Sequence, residues 1–248
     1  MSEAPTQVAP GVHRLGNELV NCYLIEDGNQ MTLVDAGLPG FRVQLEGYLR
    51  SRGRTVHDID AVILTHAHSD HVGFAESIRT DAPATVHVHA ADADMARTGK
   101  IHKRDGSLLP YLRHPALYKL FLVGGRAGAA RTPNLQDVTT FDGEQDLDVP
   151  GRPRVIPTPG HSPGHVAFHL PELGVLLAGD ALCTYNPLTG KRGAQLMPRA
   201  FAADILQAQA SLAALERIDA PLMLFGHGEP WTDGPAKAVA EARERGVI

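Results

Sequence analysis

A chain of 248 residues, 43% hydrophobic and 21% charged, can build a full core and is not a disordered polypeptide. Its formal net charge of −5 lacks the basic footprint of a phosphate-binding surface, which argues against a nucleic-acid partner. Cys22 and Cys183 are too few for a disulfide framework, and no apolar run approaches a membrane span, so reduced thiols, no membrane and a cytoplasmic setting are expected. The opening MSEAPTQVAPGVHRLG has neither the basic start nor the apolar centre of a signal peptide.

Residues 11–35 read as antiparallel strands: an apolar run at 20–25, a turn at Asp27-Gly28, and a second run at 31–34 ending in Asp35-Ala36-Gly37. Residues 41–50 space Phe41, Leu45, Tyr48 and Leu49 for one helix face. A short buried strand at 61–64 opens into Thr65-His66-Ala67-His68-Ser69-Asp70-His71 and then an apolar-periodic segment at 72–78. Residues 85–88 predict a strand and 90–97 a helix.

The stretch 99–135 has a different character. Basic residues alternate with an apolar cluster that includes Leu117, Leu120, Phe121 and Leu122; Pro110 and Pro115 divide it, and Gly124-Gly125 reads as its end. An insertion of this length predicts a lid over a site, with a satellite core helix or an oligomer contact such as a homodimer as the other reading. Strands resume after Val138. The run 154–158 leads into Pro159-Gly160-His161-Ser162-Pro163-Gly164-His165, and 166–170 pairs with 174–178 around Pro171-Glu172 and ends in Gly179-Asp180. Residues 201–218 carry Phe201, Ile205, Ala208, Leu212 and Leu215 at helical steps. A strand at 222–225 ends in Gly226-His227-Gly228, and a helix at about 234–245 closes the chain.

One regularity unites these elements: a histidine or aspartate follows the end of each apolar strand, often beside glycine. Strand ends gather distant residues at one sheet edge, where ligands bind. In an extended loop His66 and His68 point to the same side and can reach one metal ion, while Asp70 and His71, at the mouth of the next helix, turn toward a second position. Imidazole with carboxylate suits zinc, iron or manganese. Asp35 reads as a hydrogen-bonding support for a ligand histidine. His165 is separated from His161 by a proline and a glycine, so it reads as a structural hydrogen-bonder and not as half of a helical ligand pair. Lys191 and Arg192 read as a solvated pair that could also meet an anionic substrate.

The ordered set His66-x-His68-x-Asp70-His71, His161, Asp180 and His227 resembles the metallo-β-lactamase superfamily, across residues 35–227. The resemblance implies an αβ/βα sandwich: two mixed β-sheets face to face with helices outside, over one domain spanning 1–248. It also implies two divalent metal ions, zinc first, with iron or manganese suited as well. His66, His68 and His161 would hold one ion, Asp70, His71 and His227 the other, and Asp180 would bridge them. Such a centre cleaves a lactone, ester or thioester with a metal-bridging hydroxide, because two ions bring the pKa of water toward about 7. Asp70 would also carry the proton from nucleophile to leaving group.

Within the superfamily, glyoxalase II enzymes carry a helical glutathione-holding domain after the last histidine, and here little more than one helix follows His227. Lactam-cleaving members usually have cysteine or serine where Asp180 stands, which leaves β-lactam cleavage as a promiscuous activity. Lactonases place a tyrosine near the carbonyl oxygen a few residues past the bridging aspartate; Tyr185 is the candidate, although Cys183 holds the corresponding spot. The implied substrate is a small molecule with an apolar or acyl portion. An iron-dependent persulfide dioxygenase of the same fold is the alternative.

Overall fold

The computed structural model describes residues 5–247. Its first sheet runs in sequence order: β1 (Thr6–Ala9), β2 (Val12–Asn17), β3 (Val20–Asp27), β4 (Gln30–Val34), β5 (Ala61–Ile63), β6 (Thr85–His89) and β7 (Thr139–Phe141). Pairing is antiparallel up to β4 and parallel from there on. Parallel pairing needs crossovers, and helices supply them: α1 (Arg42–Ser51), α2 (Ala75–Asp81), α3 (Ala93–Thr98) and α4 (Pro115–Arg126). The second sheet has the order β13-β10-β9-β8, from β8 (Arg154–Pro157), β9 (Val166–Leu170), β10 (Val175–Gly179) and β13 (Leu222–Phe225). A hairpin of β11 (Cys183–Tyr185) and β12 (Arg192–Gln195) and the helix α5 (Ile205–Glu216) lie between β10 and β13, and α6 (Pro235–Arg245) packs on α5 and β12.

Period-two alternation along the strands decides the layers. Tyr23, Ile25, Val34 and Ile63 of the first sheet and Val166, Phe168, Val175, Leu177 and Leu224 of the second form one inter-sheet core. Their chain neighbours Cys22, Leu24, Leu33 and Val62 turn outward against Leu45, Leu49, Ile78 and Met95 of α1 to α3. On the far side Leu176, Ala178, Met223 and Phe225 meet Leu212, Leu215, Val239 and Ala242 of α5 and α6. The result is the four-layer αβ/βα sandwich that the resemblance implied. Both cysteines are free and buried. Among the described residues no helix is long and apolar enough to cross a membrane.

Three sequence expectations shift. The helix expected over 201–218 starts at Ile205, because the Asp204 side chain caps it by accepting from the Gln207 amide (2.9 Å), and Phe201 falls in a preceding 3-10 turn. Gly124-Gly125 lies inside α4 instead of ending it; Pro115 at the first turn starts that helix. The segment after the histidine loop becomes helical only from Ala75. The β11–β12 hairpin was not foreseen, its strands being too short for an alternation to show.

Candidate metal centre

The strand ends meet at one edge of the sandwich. His66, His68 and His161 bring one nitrogen each within 4.8 Å of one another, as do the ligand atoms of His66, His71 and Asp180, and of Asp70, His71 and His227. Asp180, just past β10, lies among them. Its Oδ2 is 3.1 Å from His227 Nε2, 3.3 Å from His161 Nε2 and 4.0 Å from His66 Nε2, while its Oδ1 faces His71 Nε2 at 3.6 Å. His227 Nε2 also lies 3.6 Å from Asp70 Oδ2. The geometry is three overlapping groups of candidate ligand atoms that share His66 and His71, with the Asp180 carboxylate among them.

Asp35 sets the tautomers. Its Oδ2 accepts from His71 Nδ1 at 2.8 Å and from Thr65 Oγ1 at 2.8 Å, and its Oδ1 accepts from the Thr65 amide at 2.8 Å. Thr65 Oγ1, its proton committed to Asp35, accepts from His66 Nδ1 at 3.1 Å. One carboxylate therefore turns the Nε2 lone pairs of both His66 and His71 toward the centre. It is held in the left-handed region, φ 57°, an uncommon conformation for a residue other than glycine and one that collects at functional sites. His227 is oriented from the first sheet: its Nδ1 donates to the Leu19 carbonyl, and Asn21 Nδ2 in β3 grips the carbonyls of Phe225 (3.0 Å) and Gly228 (2.7 Å) on either side.

Sequence reasoning missed Thr65 and Asp92. Asp92 is fully buried and accepts from the Ala67 amide (3.1 Å), Ser162 Oγ (2.5 Å) and the Gly164 amide (2.7 Å). Ala67 lies between His66 and His68, and Ser162 follows His161, so one carboxylate ties together the two loops that carry the first ligand set. Nothing local in Ala90-Ala91-Asp92 signals this, since its partners are 25 to 72 residues away. Asp92→Ala is expected to lower unfolding stability by at least about 2 kcal/mol, because an unmatched buried donor costs roughly 1–3 kcal/mol. A denaturant titration within about 0.5 kcal/mol of wild type, the range of an ordinary surface change, would remove Asp92 from this role.

His165 uses both ring nitrogens. Thr158 Oγ1 lies 2.9 Å from its Nδ1, and its Nε2 accepts from the Asp180 amide at 2.9 Å. Burial chiefly lowers its pKa to about 3, so it stays neutral and holds the Asp180 backbone. Tyr185 does not line the cavity beside the histidines. Its ring packs with Leu19, Val20 and Leu38 and carries Lys119 (5.6 Å) and Arg192 (5.4 Å) on its faces, because the β11–β12 hairpin turns it toward α4. Arg192 is not merely solvated: it pairs with Glu18 at 2.6 Å.

The charges divide the site. Burial, then neighbouring imidazoles, pushes His66 and His161 well below the ordinary histidine range, and burial chiefly lowers His68. Burial also opposes charge on His71 and His227, but Asp180, joined by Asp35 at His71 and by Asp70 at His227, raises both. Burial would raise Asp180; His227 and His71 prevail and hold it well below the usual carboxylate range. His66 Nε2, His71 Nε2 and Asp180 Oδ1 are buried without a hydrogen-bond partner. Such orphans are costly unless a cation satisfies them, and a donor set of imidazole and carboxylate fits divalent zinc, iron or manganese.

The sequence profile of the metallo-beta-lactamase superfamily matches residues 15–227. The chain belongs to that superfamily. As a member it is a metal-dependent hydrolase. It is similar to a probable metallo-hydrolase, YflN, of Bacillus subtilis (strain 168), at 28% identity over 240 residues, 93% of this chain and 89% of that one. A hydroxyacylglutathione hydrolase of Cereibacter sphaeroides is 29% identical over 124 residues, 50% of this chain and 34% of that protein. Among solved structures, a metallo-beta-lactamase family protein from Thermus thermophilus matches with a TM-score of 0.69 at 27% identity, covering 96% of this chain and 81% of that one.

The metallo-β-lactamase fold here opens its ligand edge into a cavity of about 210 Å³. His68, Asp70, His161, Asp180 and His227 line one side. Leu120, Phe121, Val123, Gly124 and Gly125 of α4 line another, together with Ile101 and Arg104 from the strand-free stretch before it. The two glycines thus sit where α4 faces the cavity. Phe121, like Tyr118 and Leu122 of the same helix, is more than half exposed.

Proposed function

We propose that the protein is a two-ion hydrolase of small lactones, esters or thioesters with an apolar acyl part. One observation carries this reading: the ligand edge and the apolar side of α4 line the same cavity. His66, His68 and His161 would hold one ion, Asp70, His71 and His227 the second, and Asp180 both, with zinc the first choice. When bound, the ions would supply Lewis acidity and an acidified water. The remaining work falls to the chain. Asp70 reaches the cavity half-buried and takes the proton of the nucleophile, then returns it to the leaving group. Leu120, Phe121 and Ile101 exclude water from the acyl part. Residues 99–135 are then the substrate wall of a single catalytic domain, and the thioester option is supported by the hydroxyacylglutathione hydrolase relative.

A panel of lactones, thioesters, phosphodiesters, persulfides and β-lactams, run on metal-replete protein with metal analysis, tests the reading. Turnover of lactones or thioesters with two zinc ions per chain is expected. One iron per chain with oxygen uptake on persulfides would replace it by the dioxygenase. Leu120→Ala and Phe121→Ala should shift acyl-length preference with metal content unchanged. A change in solution mass with no change in preference would instead make this segment a homodimer contact.

A further inference from the structure

Among the described residues the cavity is lined by a single guanidinium, that of Arg104. Three other cations near this face are engaged by carboxylates, two of them by the same one. Lys119 and Arg192 pair with Glu18 at 2.8 and 2.6 Å, and Arg199 pairs with Asp105 at 3.4 Å. None of the three lines the cavity. Among the described residues Arg104 has no carboxylate partner; its guanidinium carbon lies over the Phe201 ring, 5.8 Å from the centroid. Arg104 is otherwise exposed, and a contact of this kind, weak at an exposed site, biases the group over the ring and leaves its in-plane donors available for a ligand. The cavity thus has a ligand edge, an apolar body and one unpaired cation.

Resting on the hydrolase reading above, we propose that the substrate carries a carboxylate beyond its apolar part, and that Arg104 selects it. A guanidinium fork matches a carboxylate in shape and in its single charge, whereas a phosphate dianion would call for a second cation that the lining lacks. The selection is local, since the chain as a whole carries a formal net charge of −5. Hydrolysis itself is unchanged: water adds to the acyl carbon, the bond to the leaving oxygen or sulfur breaks, and the carboxylate at the far end takes no part. Arg104 acts on binding, so its effect belongs in KM.

The test uses metal-replete full-length protein and paired thioesters of suberic acid, one with a free distal carboxylate and one with that carboxylate methylated. Wild type should favour the free acid. Arg104→Gln should lower the ratio of the two kcat/KM values by on the order of tenfold, through KM, and Arg104→Lys should restore part of it. Added salt should shrink the wild-type ratio. Calorimetry with suberic acid monoamide reads the contact without turnover: binding weakened on the order of tenfold by Arg104→Gln supports the assignment, and equal binding overturns it. A wild-type ratio near one, or a ratio that Arg104→Gln leaves unchanged, also overturns it. Preference for a phosphate-ended chain would overturn the carboxylate as the group recognised. If the free acid binds through Arg104 and neither thioester turns over, the thioester option fails and this one stands.

Discussion

Asp180→Asn should release metal and reduce turnover by well over the roughly 10–100-fold that losing a partner one step removed from a metal costs. The substitution keeps size and shape and removes the charge. That charge helps raise His71 and His227 against the effect of burial, together with Asp35 at His71 and Asp70 at His227, and His227 and His71 in turn hold Asp180 low. Its two oxygens face different imidazoles: Oδ1 looks to His71, and Oδ2 to His161 and His227. An amide offers one acceptor and one donor in their place, so one side of the site would meet an N–H where a cation belongs. Metal content by elemental analysis and the rate on the best panel substrate should fall together. A variant with full metal and normal turnover would end the bridging assignment.

The fold could be read from the sequence wherever one element carries its own pattern. The apolar runs at 20–25 and 174–178 marked β3 and β10 as strands, and their successive residues now pack on different layers. The strand ends Leu64-Thr65-His66, Pro159-Gly160-His161, Gly179-Asp180 and Gly226-His227 announced the edge, because each places a ligand-bearing residue where a strand stops. What stayed hidden depends on partners remote in sequence. Thr65 looks like a spacer until Asp35, 30 residues earlier, is seen to accept its proton. Asp92 looks like a helix-opening acid until Ser162 and Gly164 arrive from the other half of the chain. Arg192 carries no sign of Glu18, 174 residues away, and Arg104 no sign that it is left without a carboxylate among the described residues at the cavity. Tyr185 drew attention by its spacing from Asp180, but spacing says nothing about the hairpin that turns its ring toward α4.

The second large effect is expected at a residue with no side chain. A methyl group at Gly226 would overlap Asp180 Oδ1 and come within 2.6 Å of His71 Cε1. The backbone has no room to retreat. The Gly226 amide donates to the Gly179 carbonyl at 3.0 Å, and its carbonyl accepts from the Asn21 amide at 2.8 Å, so it is tied to both sheets. The ligands must therefore move, and overpacking of this kind typically costs about 1–3 kcal/mol. Gly226→Ala should lose metal held by His71, Asp70 and His227 in preference to metal held by His66, His68 and His161, with a loss of rate to match. Gly47→Ala provides the control. Gly47 lies within α1, and nothing stands within 4 Å of the added methyl. There alanine should add about 0.5–1 kcal/mol of stability through the helix backbone alone, with metal content untouched. Gly226→Ala with full metal occupancy and wild-type rate would mean that close approach of this backbone is not what positions Asp180 and His71.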